Sequence, residues 1–171
     1  EKKYGFVSVC AGDGISAVFR DLGVDGIISG GQTMNPSTES LLKGVDAIPA
    51  ETVFILPNNG NIIMAAQQCG ALTEKKVVVL PNNKNIIMAA EQCVPLAEGK
   101  TVVVLPSKTI PQGVSALLCF APDASQEDNT QAMTEALQNV HTAEVTYAAR
   151  DSDFGGFTIK QGDYLALEEG K

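Results

Sequence analysis

A chain of 171 residues with 44% hydrophobic content is the size of one domain and carries enough apolar side chains for a real core, which excludes a disordered chain. Twenty acidic against twelve basic residues leave a net charge of -8, a field that repels nucleic acid and anionic membrane surfaces and favours a basic partner. No stretch approaches the roughly 20 consecutive apolar residues of a membrane-spanning helix, the opening residues lack a signal peptide's apolar run, and the missing initiator Met suggests a segment of a longer polypeptide.

Residues 6–11 (FVSVCA) form a short apolar run closed by Gly12-Asp13-Gly14, after which Ile15, Val18, Phe19 and Leu22 recur at helical spacing up to Gly23. That pattern predicts strand, turn and helix. Residues 26–29 (GIIS) predict a second strand leading into Gly30-Gly31-Gln32-Thr33-Met34-Asn35-Pro36, where Asn35 is placed to cap and Pro36 to open a helix running through Leu42. Residues 53–56, 77–80 and 102–105 are three more strand-like runs, each closed by a proline and followed by a helix-like segment. Uninterrupted apolar strands alternating with helices predict an α/β fold, a mostly parallel sheet of about five strands with helices on both faces. Ala132, Met133, Ala136, Leu137 and Val140 predict a helix over 126–140 with an acidic start at Glu127 and Asp128. Short alternating runs between turn residues then predict a small C-terminal antiparallel β element. The expected organisation is a parallel α/β domain over residues 1–141 with a β appendage over 142–171 packed on it.

Residues 53–76 (VFILPNNGNIIMAAQQCGALTEKK) align without gaps on residues 77–100 (VVVLPNNKNIIMAAEQCVPLAEGK), with 16 of 24 positions identical. Copies this alike point to a recent duplication. The period equals one βα unit, so either the sheet absorbs the extra copy as one more strand and helix, or one copy is expelled or distorted.

Ligands of open α/β sheets bind beyond the carboxyl ends of the strands, here the loops 30–35, 57–61, 81–85 and 106–112. The candidate ligand or partner-binding residues are therefore Gly30, Gly31, Gln32, Thr33, Asn35, Asn58, Asn59, Asn61, Asn82, Asn83, Asn85, Lys108 and Gln112. The asparagines stand where a helix must begin, so capping competes with ligand contact as their role. Backbone N–H groups of residues 30–33 could cradle an anion, although the loop lacks the lysine of a P-loop. Ser107 and Cys10 have no histidine near them in sequence, so no catalytic triad is indicated and no catalytic residue is assigned. Cys10, Cys69, Cys93 and Cys119 show no CxxC spacing and read as reduced, mostly buried thiols of a cytosolic protein. His141 alone cannot build a multi-histidine metal site, and neither metal nor cofactor is expected. Met64 and Met88 read as core, and Arg150-Asp151 with Asp153 as a solvated hairpin tip.

The motifs GGQTMNPS (residues 30–37), LPNNxNIIMAA (56–66 and again 80–90), SKTIPQG (107–113), VTYAARDS (145–152) and IKQGDY (159–164) together resemble the C-terminal region of the kinase subunit of bacterial fatty acid kinase, a family related to dihydroxyacetone kinases. The resemblance implies that an ATP-binding kinase domain and a linker domain lie upstream. It also implies a fold similar to that of the fatty-acid-binding partner, a DegV-like protein, and a role in docking that partner; the negative charge suits an acidic surface here meeting a basic surface on the partner. The family pattern has one LPNNxNIIMAA unit where this chain has two, and a deliberately introduced duplication is favoured over a natural variant. Lys84, standing where the first copy has Gly60, makes the second loop the more family-like. The alternative function is a small-molecule domain or enzyme that holds an acyl or polyol ligand in the strand-end loops.

Overall fold

The computed structural model describes residues 2–31, 34–84 and 102–168. A first compact unit ends at Asn139 and a second begins at Val140. The first contains β1 (Lys2–Cys10), α1 (Asp13–Asp21), β2 (Gly26–Ser29), α2 (Thr38–Asp46), β3 (Ala50–Leu56), α3 (Gly60–Leu72), β4 (Lys76–Val79), β5 (Val102–Val104), α4 (Ile110–Leu118) and α5 (Gln126–Leu137). The five strands form one sheet in the order β2-β1-β3-β4-β5, and every described pairing in it is parallel.

The apolar runs lack alternation because both faces of the sheet are covered. Phe6, Phe54, Leu56, Val78 and Leu80 pack with Phe19 of α1, Leu117 of α4 and Met133 of α5. Val7, Val9, Val53, Ile55, Val77 and Val79 point to the other face and pack with Leu41 and Val45 of α2 and Ile62, Ala66 and Cys69 of α3. Phe120 meets Phe6 and Phe54 edge to face, at ring-centroid distances of 4.9 and 5.7 Å, closing an aromatic cluster on the first face. Full burial of Phe54 and of Phe19 contributes roughly 1.5–3 kcal/mol each.

The sheet absorbs the strands of both copies. β3 and β4 lie side by side with Val53 opposite Val77 and Ile55 opposite Val79, and β4 then pairs with β5 with Val77 opposite Val102. Neither strand is expelled. The helical half of the second copy, including Asn85, Met88 and Cys93, lies outside the described residues, as do Gln32 and Thr33.

Two local expectations are corrected. α2 begins at Thr38 and its cap is Ser37, whose hydroxyl accepts from the Ser40 N–H at 3.1 Å, so Asn35 and Pro36 precede the helix instead of opening it. A hydroxyl three residues before a free N–H wins because it satisfies that donor directly. Met64 is 60% exposed and not core, since α3 turns Ile62, Ile63 and Ala66 inward.

In the second unit β6 (Ala143–Tyr147) pairs antiparallel with β9 (Tyr164–Glu168), and β7 (Ser152–Phe154) with β8 (Phe157–Ile159). Gly155 and Gly156 both have positive φ, as a two-residue hairpin turn requires. The Asp151 carboxylate accepts from the Gln161 N–H at 2.7 Å and that of Asp163 from the Lys160 N–H at 2.8 Å, so these acids tie turns together.

Candidate functional site

In the order β2-β1-β3-β4-β5 the chain leaves β1 for one face of the sheet, through α1, and leaves β3 for the other, through α3. The loops after β1 and β3 therefore diverge, and a crevice opens between them at the carboxyl ends of the strands. Its volume is about 490 Å³. Val9, Cys10, Ala11, Gly12 and Ile15 line it from the β1 side, Ser29, Gly30, Gly31 and Met34 from the loop after β2, Pro57, Asn58 and Asn59 from the loop after β3, and Ile110 from the start of α4. No Asp, Glu, Lys, Arg or His is among these lining residues.

A row of polar side chains runs behind the crevice across four strand ends. The triplets Leu56-Pro57-Asn58, Leu80-Pro81-Asn82 and Leu105-Pro106-Ser107 occupy equivalent places after β3, β4 and β5. Asn58 and Asn82 both take the left-handed conformation, φ 58° and 55°, which asparagine tolerates better than other side-chain-bearing residues. The Asn58 amide donates to the Ser8 hydroxyl at 3.0 Å and to the Val9 carbonyl at 2.9 Å. The Asn82 amide donates to the Asn58 side-chain carbonyl at 2.8 Å, and the Asn82 backbone N–H donates to the Ser107 hydroxyl at 3.0 Å. Gly113 of α4 lies directly against the Asn82 side chain, and a Cβ there would collide with the amide. This network fixes the loop that presents Asn58 and Asn59 to the crevice.

Cys10 forms part of the crevice floor with its Sγ 3.2 Å from the Ser8 hydroxyl. Burial pushes its thiol above the ordinary range, against smaller opposing effects from Ser8, Ser16, Arg20 and Asn58, so it stays protonated at neutral pH. Among the described residues no group of three or more His, Cys, Asp or Glu is placed to hold a metal ion, and no helix is long and apolar enough to cross a membrane.

The crevice brings together Gly30, Gly31, Asn58 and Asn59 of the residues expected from the sequence. The Gly30 N–H donates to the Cys10 carbonyl at 3.1 Å and the Gly31 N–H to the Met34 carbonyl at 2.9 Å, so neither is available to cradle an anion. Asn59 caps α3 by accepting from the Asn61 N–H at 3.0 Å. Asn82 and Asn83 belong to the supporting row, Asn83 through a 3.3 Å backbone bond to the Ser107 carbonyl. Gln112 is a loop staple: its carbonyl oxygen accepts from the Lys108 N–H at 2.7 Å and its amide donates to the Leu137 carbonyl at 3.0 Å. Asn35, Asn61 and Lys108 are exposed and do not line the crevice. The sequence did not place Cys10, Ala11, Gly12 and Ile15 in the crevice, nor Ser8 behind it. The available signal was that the first strand of a doubly wound sheet flanks the switch point, so its own strand-end loop belongs with the others.

The chain matches the FakA-like C-terminal family, the C-terminal part of proteins like one fatty acid kinase subunit, over residues 5–79 and again over 71–171. It belongs to that family. The two matched stretches meet around the junction of the copies at Lys76 and Val77, where one unit more than the resemblance implies is present. The chain is 40% identical over 170 residues to Protein YloV of Bacillus subtilis, covering 99% of this chain and 26% of that protein. It is 40% identical over 165 residues to an uncharacterized protein of Staphylococcus epidermidis, covering 96% of this chain and 25% of that one. An uncharacterized protein of Staphylococcus aureus is 38% identical over 165 residues, with 96% and 26% covered. The chain spans about a quarter of the length of the curated relatives it matches.

Proposed function

We propose that the chain is a non-catalytic docking domain of a fatty acid kinase, and that its strand-end face receives the fatty-acid-binding partner. Membership in the kinase-subunit family supports a place in such an enzyme, with the ATP-binding and linker domains upstream in the parent protein. The observation that carries the reading is the chemistry of the crevice. Among the described residues its lining offers amides, hydroxyls, aliphatic groups and a thiol held protonated, and none of them is an acid, base or cation that would move a proton or steady a phosphoryl group. Such a lining suits recognition. The net charge of -8 supports a partner with a basic surface, drawn in at long range.

The test is a calorimetric titration of the chain with the acyl-binding partner protein, first at low and then at moderate salt. The expected result is binding that weakens steeply with salt and at least about tenfold on Ile15→Asp, a change at a crevice residue that is 37% exposed. Absence of binding, both from this chain and from a cooperatively folded form lacking residues 77–100, would overturn the proposal. A second reading, in which the crevice holds an acyl or polyol ligand, is favoured by its volume, which falls within the range of about 300–1,000 Å³ usual for ligand pockets.

A further inference from the structure

We infer that one face of the β6–β9 ribbon docks a basic protein surface, whose arginine or lysine side chains seat on Tyr147 and Tyr164; this rests on the docking reading and adds to the crevice a patch on the second unit. Opposed residues of an antiparallel pair share a face, as do residues two apart on one strand. Val145 stands opposite Ala166, Tyr147 opposite Tyr164 and Ala143 opposite Glu168, so these six side chains form one continuous patch. All six are exposed, Tyr164 by 84%, Val145 by 76% and Tyr147 by 68%. The other face pairs Glu144 with Leu167 and Thr146 with Leu165, and both leucines are half-buried. A ribbon covered on one side ordinarily turns polar residues outward. Here the fully exposed side is the aromatic and aliphatic one, a composition that suits an interface better than a solvent face.

Charge selects the occupant. The only ionic side chain on this face is the Glu168 carboxylate, and among the described residues of the second unit Glu144, Asp151, Asp153, Asp163 and Glu168 outnumber Arg150 and Lys160. A second copy of the chain would bring the same net charge of -8 and be repelled. A basic surface is attracted at long range and fits the face at short range: a cation settles over a tyrosine ring, the aliphatic stem behind it packs on Val145 and Ala166, and Glu168 supplies a counter-charge at one end. Tyrosine and arginine are also the side chains that most often dominate binding energy at interfaces.

The experiment titrates the chain and its variants with the acyl-binding partner protein by calorimetry, after thermal melting has shown that each variant unfolds cooperatively. Tyr147→Ser with Tyr164→Ser should weaken binding at least about tenfold, whereas Tyr147→Phe with Tyr164→Phe, which keeps both rings, should stay within about twofold. Should the double serine variant melt poorly, Tyr164→Ser alone, at the most exposed of these side chains, is expected to weaken binding at least about threefold. Glu168→Lys should weaken binding by a larger factor at low than at moderate salt. Serine variants that bind like the unaltered chain, while Ile15→Asp weakens binding, would overturn the inference and leave the docking reading in place. Tighter binding by Glu168→Lys would show an acidic occupant and overturn the inference as well. A dimer of the chain alone that sedimentation detects and the serine variants abolish would assign the face to a second copy, with the same consequence. Absence of partner binding by the cooperatively folded chain and by the form lacking residues 77–100 would overturn the docking reading and the inference with it.

Discussion

The side-chain amide of Asn82 donates to the side-chain carbonyl of Asn58 across 2.8 Å, joining the same residue of two tandem copies. Each copy keeps half of one unit's surroundings. Asn58 reaches β1 through Ser8 and Val9, while Asn82 reaches the far side through Ser107 and the close approach of Gly113. The duplication adds one link to a row that continues on either side of it.

Asn58 holds both a left-handed backbone and three side-chain hydrogen bonds, so Asn58→Ala removes two separate contributions. The strained φ costs about 1–2 kcal/mol for alanine, and the lost hydrogen bonds about 1 kcal/mol each. Urea denaturation should show a loss of roughly 4–5 kcal/mol for Asn58→Ala and a smaller one, roughly 3 kcal/mol, for Asn58→Gly, which relieves the backbone strain. Equal losses for the two variants would show that the backbone conformation contributes nothing.

Gly113→Ala places a methyl group against the Asn82 amide and should destabilise the first unit by about 1–3 kcal/mol. Asn82→Gly keeps the left-handed backbone accessible and removes the obstructing side chain. In the double variant, the added cost of Gly113→Ala should therefore shrink by about 1 kcal/mol or more, measured as a coupling energy in a double-mutant cycle.

Val53, Val77 and Val102 stand in one row across β3, β4 and β5, so excising residues 77–100 brings β5 beside β3 without changing the strand register. Asn58 then stands where Asn82 now meets Ser107. A cooperatively unfolding four-stranded protein is the expected product, checked by circular dichroism and thermal melting. A molten product without cooperative melting would show that the second copy has become indispensable.

Burial raises the Cys69 thiol from 9.0 to about 12, with the Asp46 carboxylate adding to the shift. Below pH 9 both the folded and unfolded states keep this proton, and its contribution to stability is fully present. Between pH 9 and 12 the unfolded chain ionises while the folded one does not, so stability falls as pH rises. The urea midpoint should drop between pH 8 and pH 10.5, and less so in Cys69→Ala. At pH 8 a thiol reagent should modify exposed Cys119 ahead of buried Cys10 and Cys69.

The alternation of strands and helices, the parallel sheet and the duplicated unit are all legible in the order of residues, because β-branched runs closed by Leu-Pro and followed by capped helices leave few other arrangements. Four of the expected binding residues line the crevice for the same reason: strand-end loops are set by where each apolar run stops. Element ends were less legible, as at Ser37 and Met64, where a single hydroxyl or the rotation of one helix decides the outcome. That β3 pairs with β1, and hence where the crevice opens, came only from the folded arrangement. So did the division of labour in which Asn82 supports the loop beside the crevice while Asn58, identical in local sequence, faces it. Local sequence cannot distinguish two copies of one motif, because the difference lies in the neighbours, β1 on one side and β5 on the other, that long-range strand pairing supplies.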